Sequence, residues 1–148
     1  MIVRMKKILL PIFAVLILGV VLNCSAIPDK NPSLQRQWML ISLDGFSKDQ
    51  LIAHKAEMNL TAAIVDGKIQ GSAYMGCNQM SFISEFKKGG KVKISNGVST
   101  MKACQDMDLE TSFQKKIETM TRYSVEGHFL TLSDDHGHTM RFVAADWD

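Results

Sequence analysis

Two cysteines constrain this chain more than any other pair of residues. Cys77 lies in Gly76-Cys77-Asn78, and Cys104 closes Ser99-Thr100-Met101-Lys102-Ala103-Cys104. They are the only cysteines outside the N-terminal segment. Whether they are thiols or a bridge depends on the compartment, and the first residues bear on that. Arg4, Lys6 and Lys7 form a basic n-region, and Ile8 to Leu22 is an apolar run without a charge. A membrane-spanning helix needs about 20 apolar residues, so residues 1–26 read as an export signal. Three endings are open. Val21-Leu22-Asn23-Cys24 reads as a lipobox that makes Cys24 a lipidated first residue, with Asn23 where Gly, Ala or Ser is usual. Cleavage after Ala26 instead releases a soluble periplasmic or secreted domain. A retained anchor is the third. Each places the domain outside the cytoplasm, in the cell envelope, and the first two differ in whether a lipid on Cys24 joins it to a membrane.

Export changes the cysteine arithmetic. With Cys24 lipidated or removed, Cys77 and Cys104 remain as an even pair, which an oxidising compartment favours as a disulfide. Such a bridge closes a loop of about 28 residues, worth roughly 3–4 kcal/mol from chain entropy. The alternative is two buried thiols that pack as small hydrophobes.

The 148 residues suit one domain with a core of its own. The overall charge of +2 is misleading. Without Arg4, Lys6 and Lys7, 14 basic residues face 15 acidic ones, a net charge of −1. A near-neutral surface argues against nucleic acid as a partner. Pro28 and Pro32 among polar residues make residues 27–35 a short tether, followed by a folded domain over residues 36–146.

Alternation predicts a first strand over Gln37–Leu43, with Trp38 and Leu40 on one face and Met39, Ile41 and Leu43 on the other. Ser47 to His54 suits a helical turn or a loop. Strands over Glu57–Val65 and Lys68–Met75 flank Asp66-Gly67, a type I′ hairpin signal. Small residues at 71–73 leave room for a close approach. Strands follow over Met80–Phe86 and Val92–Ile94, with Ser95-Asn96-Gly97 read as a turn. A helix is expected over Met107–Tyr123, capped by Asp106 or Asp108. It carries a buried stripe of Leu109, Phe113, Ile117 and Met120, and Glu110 lies off that stripe. Short strands around Glu126-Gly127 and after Asp134-Asp135-His136-Gly137-His138 complete an α+β fold: a curved or partly closed antiparallel sheet with one helix across it.

Few residues suggest chemistry. His136 and His138 with Asp134 and Asp135 have metal-ligand character, but the same residues are ordinary turn formers, and no metal site is assigned. Cys77 has no neighbouring histidine in sequence and oxidises on export, so it is not expected to be a nucleophile. Phosphate loops and nucleophile elbows are missing. No catalytic residue and no cofactor is therefore expected. The methionines, among them Met75, Met80, Met101, Met107 and Met120, suit either core filling or a pliable apolar pocket. Lys87, Lys88 and Lys91 suit a solvated loop or anionic head groups.

Trp38-x-Leu40-x-x-Leu43-x-Gly45, Gly76-Cys77-Asn78, and Ser99-Thr100-Met101-x-Ala103-Cys104 followed by Glu110 and Phe113 together resemble the META domain, or HslJ-like, family. The resemblance spans roughly residues 36–144, with Tyr123, Gly127, Leu130, Leu132 and Phe142 fitting its tail. Phe82 stands near where the family usually carries a glycine. The resemblance implies an exported, heat-shock-associated envelope protein without catalytic residues. Its expected role is in envelope stress or assembly, through binding of an apolar ligand or an envelope protein. The alternative is an interaction module that docks a protein through a β edge.

Overall fold

The computed structural model describes residues 30–147; Cys24 and the export signal lie outside them. Nine strands alternate with two short helices: β1 (Gln37–Leu43), α1 (Lys48–Ala53), β2 (Glu57–Asn59), β3 (Ile64–Val65), β4 (Lys68–Tyr74), β5 (Gln79–Lys87), β6 (Lys91–Ser99), α2 (Asp108–Ile117), β7 (Arg122–Glu126), β8 (Phe129–Ser133) and β9 (Thr139–Ala144). All pairings are antiparallel, in the order β2-β1-β9-β8-β7-β6-β5-β4. A further pairing of β2 with β4, Met58 opposite Ala73, closes this ribbon. The sheet is thus a closed eight-stranded barrel, with β3 as a flap on β4. Its weakest seam is β6–β7, held in register by Lys91 opposite Arg122.

Closure follows from alternation. On β4, Ile69, Gly71 and Ala73 face inward, and on β9 Met140, Phe142 and Ala144 do. Trp38, Met58, Leu130, Leu132, Met140 and Phe142 are each 0 % exposed. The Trp38 indole N–H is satisfied by the Leu34 carbonyl at 3.0 Å. That bond draws in part of the segment read as tether: Leu34 is 1 % exposed, and Gln35 Nε2 donates to the Ala62 carbonyl at 2.7 Å. The packed body therefore starts before residue 36.

Several elements depart from the sequence reading for local reasons. The β1 register shifts between Leu40 and Ser42 against β9, which turns Leu43 inward to join Trp38 and Leu40. Ser47 to His54 is a helix, because Ser47 and Gln50 form a reciprocal capping box. The strand expected over 57–65 breaks at 60–63, while Asp66 and Gly67 take the positive φ values of 51° and 74° that a type I′ turn requires. Ser95-Asn96-Gly97 is no turn. It is a bulge in continuous β6, where the register against β5 shifts between Ser81 and Ile83.

Helix α2 stops at Ile117, short of the expected Tyr123. Thr119 Oγ1 donates to the Lys116 carbonyl at 2.8 Å, and the Thr121 N–H donates to the Ser133 carbonyl of the sheet at 2.9 Å instead of back to Ile117. Met120 still reaches the core beside Leu109, Phe113 and Ile117. The N-cap position is Met107, not Asp106 or Asp108, and no side chain caps the helix from it; Asp106, one residue earlier, accepts the Asp108 N–H on its Oδ1 at 3.2 Å.

Gly71 explains how the barrel interior is filled. A Cβ there would overlap the Phe82 ring and lie 3.1 Å from Leu60 Cδ2. The space left by the small residue is occupied by an aromatic ring of the protein itself. Gly71→Ala should destabilise the domain by about 1–3 kcal/mol, as overpacking does, and Phe82→Leu in the same chain should restore part of it. Chemical denaturation of the single and double variants measures both.

Candidate functional site

The stretch between the two cysteines builds, with Glu110, a buried polar cluster. Gly76, at φ 110°, turns the chain after β4, and Cys77 and Asn78 follow it into the interior at 6 % and 1 % exposure. Cys77 is bridged to Cys104 with a Cα–Cα distance of 6.2 Å. The sequence left disulfide and buried thiols open, and the structure has the disulfide. Its presence suits an oxidising, extracytoplasmic compartment.

Asn78 uses its full hydrogen-bonding capacity. Its backbone N–H donates to Glu110 Oε2 at 2.7 Å, and Nδ2 donates to Glu110 Oε1 at 2.9 Å. The second Nδ2 proton is shared between the Lys102 carbonyl at 3.2 Å and Cys77 Sγ at 3.4 Å. Oδ1 accepts from Thr100 Oγ1 at 2.8 Å and from the Lys102 N–H at 2.7 Å. One side chain thus joins the β4–β5 turn, the strand end after β6, and α2. Glu110 is 4 % exposed, which corrects its expected place off the buried stripe. It sits inside because Asn78 presents two donors that a carboxylate satisfies.

His54 enters this region unannounced by sequence. Its ring lies where a Gly76 side chain would project, so Gly76 is required both for its φ and for that space. His54 Nε2 is 3.3 Å from Asp106 Oδ2, which ties the end of α1 to the segment before α2.

The other candidates resolve into structural roles. Asp134 Oδ1 accepts the N–H groups of His136 and His138, both at 2.9 Å, and Oδ2 is 2.7 Å from His138 Nδ1. The His136 and His138 rings stand 6.4 Å apart. Among the described residues, no group of three or more His, Cys, Asp or Glu side chains is placed to hold a metal ion. Met58, Met75, Met80, Met120 and Met140 are core residues, whereas Met101 is 99 % exposed. Lys88 and Lys91 are exposed, and Lys87 Nζ lies 3.3 Å from Glu85 Oε1. Among the described residues, no helix is long and apolar enough to cross a membrane.

Cavities bear directly on ligand binding. The gap between α2 and the sheet, lined by Met80, Phe82, Phe113 and Ile117, holds only about 10 Å³. A larger space of about 610 Å³ is an open groove on the outside, where Ala62, Val65, Ile83 and Val98 converge with Lys68 and Gln70. Val65 and Val98 are 65 % and 66 % exposed.

Comparison with known proteins agrees with this architecture. The sequence profile of the META domain matches residues 32–147. An NMR structure of a protein from Burkholderia xenovorans is similar at a TM-score of 0.56 and 22 % identity, over 83 % of this chain and 94 % of that one. A DUF4847 family protein from Bacteroides vulgatus is similar at a TM-score of 0.53 and 13 % identity, over 78 % and 96 %. At such identities the likeness is one of fold. No curated protein matches the chain.

Two measurements check this cluster. Glu110→Ala strands the Asn78 N–H and one Nδ2 proton in the interior, and should cost about 2–4 kcal/mol of unfolding free energy, since each buried unsatisfied group costs about 1–3 kcal/mol. Denaturant titration reads it, with Glu118→Ala, a change outside the cluster, as the comparison.

The second concerns the Asp134 turn. The hydrogen bond from His138, aided by the two backbone N–H groups, holds the Asp134 carboxyl below the usual carboxylate range. A depressed native value gives stability that is present above the unfolded value of about 3.9 and is lost as pH falls through the native one. The difference in Tm between the wild type and Asp134→Asn should therefore shrink as the pH is lowered from about 5 to about 2.

Proposed function

The chain belongs to the META domain family, and from that premise we propose that it is a non-enzymatic binding domain of the cell envelope that acts on a protein partner through its outer surface. The observation that carries this reading is the filled interior. Phe82 occupies the space beside Gly71, and the gap under α2 holds about 10 Å³, room for about a single water. An acyl chain has no room there. The exposed groove around Val65 and Val98 is the larger apolar feature and suits contact with another protein.

Attachment follows from the leader. On this reading Cys24 carries the lipid, and the Pro-containing residues up to Asn31 span from the membrane to the barrel. The disulfide supports an oxidising compartment. Catalysis has no support in the arrangement of His136, His138 and Asp134, which is explained by the turn they build.

The reading is tested in the native host. A photo-crosslinking residue at Val98 should give one discrete envelope-protein adduct, and the same residue at Lys88 should not. Metabolic labelling with an alkyne fatty acid should tag the wild type and not Cys24→Ser. Stoichiometric lipid retained in native mass spectra of the isolated domain would instead favour a ligand carrier.

A further inference from the structure

The two halves of the disulfide meet different surroundings. Cys77 is 6 % exposed, within the Asn78 cluster. Cys104 is exposed, and so is every residue from Met101 to Asp106. That segment has neither helix nor strand and leads from β6 to α2. Thiol–disulfide exchange requires an attacking sulfur to approach one particular disulfide sulfur, so access decides which is attacked. Burial shields Cys77 and leaves Cys104 as the open side.

We propose that Cys104 is a thiolation site, at which a low-molecular-weight thiol of the glutathione class exchanges into the disulfide without unfolding the barrel. The thiolate of the incoming molecule attacks Cys104 Sγ. A new S–S bond forms between them, the Cys77–Cys104 bond breaks, and Cys77 Sγ departs with the electron pair. The exchange leaves the total number of disulfides unchanged, so no further oxidant or reductant is consumed.

The surroundings of Cys77 suit a departing sulfur. Asn78 Nδ2, 3.4 Å away, donates toward the negative charge as it develops. The same nitrogen also bonds the Glu110 carboxylate, so a lasting second negative charge is unfavourable there. Cys77 therefore takes up a proton from solvent, and the Lys102 carbonyl, 3.7 Å from its sulfur, can accept the resulting S–H. A protonated, buried Cys77 is a poor nucleophile against the new mixed disulfide, which gives the adduct a lifetime.

The fold holds after exchange because other bonds span the same junction. Thr100 and Lys102 remain tied to Asn78 Oδ1, and Glu110 remains tied to the Asn78 N–H and Nδ2. Only the exposed residues between Lys102 and Asp106 gain freedom. The adduct adds a charged, polar group at the rim, beside the most exposed methionine of the described residues.

Incubation of the oxidised mature protein with reduced glutathione, acid quenching and peptide mass spectrometry tests the site. The expected result is a glutathione adduct on the Cys104 peptide, at least about tenfold over any on Cys77, as directed access requires, with unchanged far-UV circular dichroism. In Cys77→Ser the free Cys104 should react with a chromogenic disulfide under native conditions, and in Cys104→Ser the free Cys77 should react only after denaturant is added. Should either variant fail to fold, adduct mapping on the wild type decides alone. Adducts mainly on Cys77, equal adducts on both, or no adduct short of unfolding would each overturn the proposal.

Discussion

Asn78 is the side chain on which the junction of barrel and helix depends. Its amide makes four hydrogen bonds, one to Glu110 on α2 and three to the Thr100–Lys102 segment after β6. Glu110 answers from α2 with both carboxylate oxygens, one of them on the Asn78 backbone. Such a network is favourable only when complete, because a single missing partner leaves a buried polar group unpaired. The disulfide acts beside it at another level. It limits the unfolded chain, while the amide and carboxylate fix where the helix sits in the native one. This division makes Gly-Cys-Asn, Thr-Met-x-Ala-Cys and the following Glu parts of one joint in this chain.

The remainder of the barrel is arranged around a solid centre. Closure through β2 and β4 removes the free edge that an open sheet would have there, and β3 is left as a short flap. Inside, small residues face large ones, as Gly71 faces Phe82. The same filling that stabilises the domain leaves the larger apolar space on the outside, where two exposed valines border a groove. The weak β6–β7 seam is bridged by α2 and the turn after it, and Glu118 Oε1 accepts the Gly97 N–H at 3.0 Å beside the β6 bulge. One helix therefore completes both the Asn78 joint and the barrel wall.

Much of this was legible before the fold was seen, and the parts that were not share a cause. Alternation located β1 at Gln37–Leu43, and Asp66-Gly67 marked the β3–β4 turn, because both signals are local. Export and parity pointed to the Cys77–Cys104 pair. Glu110 escaped notice as a buried residue because a charged side chain beside a buried stripe ordinarily faces water, and its partner is 32 residues away. His54 against Gly76 is likewise distant in sequence. Ser95-Asn96-Gly97 has turn composition, yet bulges use the same residues, and only pairing with β5 separates the two. The end of α2 was set by the Thr121 N–H, which donates to the Ser133 carbonyl of the sheet instead of back to Ile117, a partner the helical pattern does not contain. Full closure rests on β2 pairing with β4 and β1 at once: the first continues the hairpin that Asp66-Gly67 announces, and the second has no local signal.

The central claim is that the Asn78–Glu110 joint makes barrel and helix one cooperative unit. Native-state hydrogen exchange of the oxidised protein, resolved by residue, tests it most directly. The Asn78 amide should exchange only through global unfolding, with the same protection as Leu130 and Phe142 in the barrel core and Phe113 in α2. Fast exchange at Asn78, or opening of α2 while Leu130 and Phe142 stay protected, would contradict the account.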